Sequence, residues 1–136
     1  DHSKGRTVKG LNFITTLYDA QGVTLPVAFE IVAKPERYVD PKTGKEKRKS
    51  RTTKNEHARQ MLKVTCNNRI PFKYVLTDIW FASAENMRFI KLDLKKDFIV
   101  ALKSNRKVAL SASDKAKGQY RRIDQLTLPE GATQTI

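Results

Sequence analysis

Strand-like and helix-like segments follow one another along this chain in an order that fits an α/β fold. An apolar segment, Lys9–Tyr18, leads through the turn-forming residues Asp19–Gly22 into a second segment rich in β-branched and apolar residues, Val23–Ala33. Two such segments joined by a short polar turn predict an antiparallel β-hairpin. Pro26 has no backbone N–H to donate, so it interrupts the hydrogen-bond ladder and favours an edge strand.

Two helices are predicted beyond residue 52. Thr53 and Glu56 have the spacing of a capping box, in which each side chain accepts a hydrogen bond from the other residue's backbone N–H. The helix that they begin is ended by Asn67-Asn68 and Pro71. Ser83 caps a second helix over Ala84–Leu94.

The remaining segments are predicted as strands and connections. Strands are expected at Phe72–Asp78, Asp97–Lys103 and Arg106–Leu110, followed by a polar connection at Ser111–Gly118 and an extended stretch at Tyr120–Leu128. The order is therefore β-β-α-β-α-β. Strands joined through helices lie parallel with right-handed crossovers, so a mixed α/β sheet is expected.

The charge of the chain points to a polyanionic partner. Lys and Arg total 27 against 14 Asp and Glu, which gives a net charge of +13. No apolar run approaches the ~20 residues needed to cross a bilayer, and no basic amphipathic helix with an aromatic face is present, so no membrane partner is expected. Cys66 is the single cysteine; this excludes a disulfide framework and fits a reducing cytoplasm.

The most basic stretch is residues 34–54, with nine basic and three acidic residues. Pro35, Pro41 and Gly44 interrupt regular structure, so a mobile, solvated loop is expected. One interpretation is a loop that is merely solvated. The other is a segment that becomes ordered against a nucleic-acid backbone, with contacts from Lys45, Lys47, Arg48, Lys49 and Arg51.

One carboxylate stands where α/β proteins place functional groups. The apolar strand at Phe72–Asp78 ends on Asp78, just before Ile79, Trp80 and Phe81. Functional groups of open α/β sheets collect beyond the carboxyl ends of the strands, and an acid there can hold a divalent cation. From spacing alone, a turn acid is the alternative. The two aromatic residues are expected to be core or site-wall residues.

Three stretches of the sequence together resemble a known family. They are the opening Asp1-His-Ser-Lys through Asn12, the stretch Leu76-Thr-Asp-Ile-Trp-Phe through Met87, and Ala101-Leu-Lys-Ser-Asn-Arg-Lys-Val108. The resemblance is to bacterial insertion-sequence transposases of the DDE superfamily, in particular the cut-and-paste branch whose catalytic domain contains an inserted β-rich segment. It extends over nearly the whole chain.

The resemblance implies a ribonuclease-H-like fold and a catalytic role for Asp78. Residues 1–118 would be part of the catalytic domain, and residues 119–136 would begin the β-rich insertion. Asp78 matches the family's second catalytic Asp, a ligand shared by two Mg²⁺ (or Mn²⁺) ions. The family's first Asp, on the first central strand, and its Glu, on a C-terminal helix, have no counterpart here. The chain alone is therefore expected to be inactive.

The resemblance also implies the partners. The substrate would be DNA, as transposon ends and target, with Lys103 and Arg106 able to hold its backbone or to remain ordinary solvated charges. The full-length protein would act as a homodimer in the bacterial cytoplasm, associated with the nucleoid. Two other interpretations stay open: a non-enzymatic basic nucleic-acid-binding module, and a related ribonuclease-H-like nuclease that cuts but does not join strands.

Overall fold

The structure is a computed structural model, and it describes residues 10–127 of the chain. The first and last stretches of the sequence, including most of the opening Asp1–Asn12 motif, lie outside these residues. The strands are β1 (Phe13–Ala20), β2 (Val23–Ile31), β3 (Glu36–Val39), β4 (Glu46–Lys49), β5 (Tyr74–Thr77), β6 (Asp97–Val100), β7 (Lys107–Val108) and β8 (Arg121–Arg122). The helices are α1 (Lys54–Asn67), α2 (Ala84–Arg88, continued by a π-helical turn at Phe89–Asp93) and α3 (Ala112–Ala116), with a 3-10 turn at Ile123–Gln125.

The strands pair two by two. Within residues 10–127, the sheets are β1–β2, β3–β4, β5–β6 and β7–β8. The α/β composition is as predicted, and β5 and β6 are neighbours on either side of a helix, as the β-α-β order requires. The single mixed sheet expected from the sequence is not formed. The described residues divide into two compact units, one of residues 10–76 with Ser83–Ile99, the other of Thr77–Ala82 with residues 100–127.

The first hairpin agrees with the sequence prediction. β1 and β2 are antiparallel, and the two residues between them, Gln21 and Gly22, have φ values of 53° and 77°. Positive φ at both positions is the requirement of the tight turn that suits the twist of a hairpin. The register shifts beside Pro26, which leaves Val27 without a partner, so the proline does interrupt the ladder.

Residues 34–51 are a second hairpin, and the prediction of an irregular loop there was wrong. β3 and β4 pair antiparallel from Glu36 opposite Lys49 to Val39 opposite Glu46. Pro41 and Gly44, which were taken as breaks, lie in the turn that joins the strands. The Asp40 carboxylate accepts hydrogen bonds from the Lys42 backbone N–H at 3.0 Å and from the Thr43 hydroxyl at 3.0 Å, and Gly44 has a φ of 64°. The turn chemistry therefore creates the hairpin.

The capping box at the start of α1 is confirmed. Thr53 Oγ1 accepts from the Glu56 backbone N–H at 3.2 Å, and the Glu56 carboxylate accepts from the Thr53 backbone N–H at 2.6 Å. The helix ends at Asn67, as predicted, and Arg69 has a φ of 55° just beyond it. The helix packs against β1 and β2 and buries Met61 and Thr65.

A small apolar cluster holds β5 against the second helix. Val75, Phe89 and Ile90 are buried and are surrounded by partly buried Leu62, Phe72, Leu94 and Phe98. The helix predicted over Ala84–Leu94 begins under the cap of Ser83, whose Oγ accepts from the Asn86 N–H at 3.1 Å. It widens into a π-helical turn from Phe89, which brings Phe89 and Ile90 together into the cluster.

A buried amide connects α1 to α2. Asn86 is 5% exposed, donates to Asn55 Oδ1 at 2.9 Å and accepts from Arg59 at 2.7 Å. Arg59 also pairs with Glu85 at 3.0 Å. Because buried polar groups cost free energy unless they are hydrogen-bonded, these bonds fix which residues of the two helices face each other.

The C-terminal part of the described chain is more regular than expected. The connection predicted at Ser111–Gly118 contains α3, and Ser111 Oγ accepts from the Asp114 N–H at 3.0 Å. The short strand predicted near Arg106 is present as β7. The stretch predicted as extended contains β8 and a 3-10 turn.

We expect Thr53→Ala to lower the free energy of unfolding by about 1 kcal/mol, because the helix loses its cap. Thr52→Ala is the matched control, since no hydrogen bond of its side chain supports the helix, and it should change stability less. Urea denaturation followed by circular dichroism measures both. Equal losses in the two variants would contradict the role of the capping box.

The same box predicts a pH dependence. The Thr53 backbone N–H holds the pKa of Glu56 below its ordinary value of 4.5. A carboxyl whose pKa is lowered by folding stabilises the folded state above its unfolded pKa, and this contribution is lost as the pH falls through the folded pKa. As the pH falls from neutral to below 4.5, the free energy of unfolding should therefore decrease less in Glu56→Gln than in the wild type. An unchanged pH profile would contradict this.

Candidate active site around Asp78

The candidate carboxylate lies in a short, ordered loop. Asp78 follows directly after β5, is exposed, and its Oδ1 accepts from the Trp80 backbone N–H at 2.8 Å. The Phe81 N–H donates to the Asp78 carbonyl at 3.2 Å. These two bonds make an Asx-type turn that fixes the direction of the carboxylate. Among residues 10–127, no hydrogen-bond partner is recorded for the other oxygen, Oδ2.

The loop is held by a basic residue that the sequence had suggested for DNA contact. Arg106 donates from its guanidinium to the Ala82 carbonyl, and Ala82 is 2% exposed. The Ile123 N–H donates to the Arg106 carbonyl at 2.9 Å, which ties the same residue to the 3-10 turn. Arg106 therefore positions the end of the Asp78 loop through this one guanidinium nitrogen.

Lys103 and Trp80 form the second contact of this loop. The Lys103 ammonium lies 5.9 Å from the centroid of the Trp80 ring, within the range of a cation–π interaction. Trp80 is 77% exposed, so of the two expected places, core or site wall, the core was wrong for this residue. The strand ends at Thr77, and the Asx turn turns the chain so that the indole faces solvent.

Asp78 does not belong to a larger cluster of metal-binding side chains in the described part of the chain. Within the described residues, no group of three or more His, Cys, Asp or Glu side chains converges as metal ligands would. In the unit that contains the Asp78 loop, Asp124 is held by the Arg122 guanidinium, which lowers the pKa of that carboxyl. Asp97, in the other unit, pairs with Lys91, which likewise lowers the pKa of Asp97. Asp78 is thus a candidate oxygen ligand that belongs to no group of three or more such side chains in the described residues.

The predicted basic contacts fall into two groups. Lys103 and Arg106 both contact the Asp78 loop. The others are on or beside the β3–β4 hairpin, in the other unit: Lys45 in its turn, Lys47, Arg48 and Lys49 on β4, and Arg51 just after it.

The first unit also contains a groove of about 310 Å³, which none of the predicted site residues lines. It is lined by Glu56, Arg59, Gln60, Lys63, Phe89 and Asp93. Its cations are already engaged, since Arg59 pairs with Glu85 and Lys63 lies 5.9 Å from the centroid of the Phe89 ring. We assign it no function. No helix in residues 10–127 is long and apolar enough to span a membrane.

The sequence matches the model of a known protein family. A family model described as DDE superfamily endonuclease matches residues 1–129. Among curated proteins and solved structures, no match reaches significance. The family match confirms the DDE superfamily that the three sequence motifs had indicated.

We expect Arg106→Met to loosen the Asp78 loop, because the hydrogen bond to Ala82 is lost. Trp80 is the single tryptophan of the chain, so its fluorescence anisotropy reports on the loop directly. The anisotropy should fall in Arg106→Met but stay unchanged in Arg121→Met. Arg121 is the matched control because its exposed side chain forms no hydrogen bond or ion pair within residues 10–127. Equal anisotropy in the two variants would contradict the positioning role.

Proposed function

Because the chain belongs to the DDE superfamily endonucleases, we propose that it is part of the catalytic domain of a DNA transposase of the bacterial insertion-sequence type. The match over residues 1–129, together with Asp78 at the end of an apolar strand, is the observation that carries this proposal. The finer assignment rests on the motifs at Leu76–Met87 and Ala101–Val108. The full-length protein would cut DNA and join the transposon ends to a target.

We propose a ribonuclease-H-like arrangement for residues 1–118. The chain order supports it: two β-hairpins, a helix, a strand, a second helix and a strand that pairs with the preceding strand. Residues 119–136 are proposed as the start of a β-rich insertion. The protein would act in the cytoplasm, on the nucleoid, as a homodimer that brings two DNA ends together.

We propose that Asp78 binds Mg²⁺ or Mn²⁺. The residue fits such an ion because its carboxylate is exposed. Within residues 10–127, Oδ2 accepts no hydrogen bond, while the Trp80 N–H holds Oδ1 in place. Mg²⁺ keeps several waters and is bound through one or two carboxylates and the phosphates of its substrate, so a single protein oxygen suits it. When bound, the metal would lower the pKa of a water or a DNA 3′-hydroxyl that attacks the phosphodiester.

We propose a role for each of the chain's own residues near this site. Asp78 would be a metal ligand and not a general base, as the family resemblance implies. Arg106 would hold the loop that carries it. Lys103, on the Trp80 ring, would contact DNA phosphates beside the metal, as would the free nitrogens of Arg106. The basic segment that contains Lys45, Lys47, Arg48, Lys49 and Arg51 is proposed as a region of DNA contact away from the reacting bond.

A second candidate function is a nucleic-acid-binding module without catalysis. The net charge of +13 and the exposed basic hairpin favour it. It predicts salt-dependent binding that no metal alters and that Asp78→Asn leaves unchanged. A nuclease that cuts but does not join strands is the third candidate, and it shares the metal site with a transposase.

Terbium luminescence tests the metal site. Tb³⁺ binds carboxylate oxygens as Mg²⁺ does, and it emits when energy passes to it from a nearby indole. Trp80 is the single indole of the chain and lies two residues from Asp78. Excitation of Trp80 should therefore produce Tb³⁺ emission that Mg²⁺ competes away and that Asp78→Asn abolishes.

The matched control is Asp114→Asn, which removes another, half-buried carboxylate from the same unit. It should leave the emission intact. Emission that persists in Asp78→Asn, or that disappears equally in both variants, would contradict the metal site.

We expect the purified chain not to nick DNA, because two-metal phosphoryl transfer needs two or three carboxylates. The assay is conversion of supercoiled plasmid to the nicked form with Mg²⁺ or Mn²⁺ present. Metal-dependent nicking that is lost in Asp78→Ala would show that this chain carries a complete site, and would overturn the expectation.

A further inference from the structure

The β3–β4 hairpin buries almost nothing. Every residue of β4 is exposed, and in β3 only Glu36 is half-buried. The two strands pair with each other and, among the described residues, with no other strand. An isolated two-stranded hairpin is at best marginally stable in water. Packing therefore does not explain why this segment is folded. The arrangement of its charged side chains must then be considered.

The register divides those charges between two faces. Residues opposite each other in a ladder point to the same side of it, and successive residues point to opposite sides. Glu36 opposite Lys49 and Tyr38 opposite Lys47 form one face. The other face has Arg37 opposite Arg48 and Val39 opposite Glu46.

Each cation of the first face has an acidic partner within the chain. Lys47 forms an ion pair with Asp40, and Lys49 lies 3.5 Å from Glu36. Arg51, just after β4, lies 3.4 Å from the same Glu36. The Lys47 ammonium and the Lys42 backbone N–H keep the pKa of Asp40 below its ordinary value, so that this pair stays charged at neutral pH.

The second face keeps an excess of positive charge. Arg37 pairs with Glu46 at 3.2 Å, whereas Arg48 has no acidic partner among residues 10–127. Two cations directly opposite each other destabilise a ladder. A guanidinium presents planar paired donors that fit a phosphate. An anion bound over Arg37 and Arg48 would offset the repulsion between them and give Arg48 an acidic partner.

We propose that the β3–β4 hairpin binds the phosphate backbone of duplex DNA through its Arg37–Arg48 face, with Arg48 as the principal contact. Four-residue strands extend over about 13 Å, and B-DNA carries one charge per about 1.7 Å of its axis, so the face meets several phosphates. The choice of DNA over another polyanion rests on the proposed function. The division into a face whose cations are all paired and a phosphate-binding face rests on the register and the ion pairs alone.

The test compares two substitutions that remove the same charge from the same strand. Arg48→Gln removes the unpaired cation, and Lys47→Gln removes a paired one. Binding of the full chain to a labelled short duplex is measured by fluorescence anisotropy over a series of salt concentrations, with EDTA present. Arg48→Gln should weaken binding about five- to tenfold near 0.1 M salt and lower the slope of log K against log salt by about 1. Lys47→Gln should have a clearly smaller effect on both.

A gain-of-binding variant makes the test independent of folding defects. Glu46→Gln frees Arg37 on the proposed binding face and should tighten binding. Glu36→Gln adds the same charge on the other face and should tighten it less. Circular dichroism of each variant checks that the fold is retained.

Three outcomes would overturn the proposal. Equal losses in Arg48→Gln and Lys47→Gln would mean that only net charge matters. Equal gains in Glu46→Gln and Glu36→Gln would likewise mean that binding depends only on the net charge of the chain. Arg48→Gln that weakens binding to duplex RNA or to anionic vesicles more than to duplex DNA would show that the partner is not DNA. Because EDTA removes divalent metal, failure of the Asp78 metal site leaves these results unchanged, and the two proposals can fail separately.

Discussion

The buried contact of Val75 with Phe89 and Ile90 is the interaction on which the described part of the first unit most depends. It holds the middle of β5 against the second helix and is the apolar centre to which Leu62 of α1 also packs. The exposed strand faces and the basic hairpin bury little by comparison. Because so few side chains are fully removed from water, capping hydrogen bonds and the buried amide of Asn86 carry an unusual share of the structural specificity.

Local chemistry explains which elements the sequence predicted. The capping box at Thr53 and Glu56, the cap at Ser83 and the interruption at Pro26 each follow from one residue acting on its neighbours, and each is confirmed. The β3–β4 hairpin was missed because Pro41 and Gly44 were read as breaks. Their position after Asp40, whose side chain accepts hydrogen bonds inside the turn, was the available signal.

The remaining differences depend on contacts that are distant in sequence. The π-helical turn at Phe89–Asp93 has no local signal and serves the packing of Phe89 and Ile90. The hydrogen bond from Arg106 to the Ala82 carbonyl joins residues that spacing could not bring together, and a basic residue after a strand was easily read as a DNA contact alone. For the site itself, the position of Asp78 came from the strand pattern, whereas its proposed chemistry came from the family motifs.

The metal site proposed at Asp78, beside the Trp80 N–H, is the basis of the catalytic role proposed for this chain. Amide relaxation measured by NMR during a Mn²⁺ titration tests it most directly, because paramagnetic broadening falls steeply with distance from the ion. We expect the amides of residues 77–82 to broaden first, Mg²⁺ to reverse the effect, and Asp78→Asn to remove it. Broadening centred on another carboxylate, such as Asp93 or Asp114, with the Trp80 amide unaffected, would contradict a metal site at Asp78.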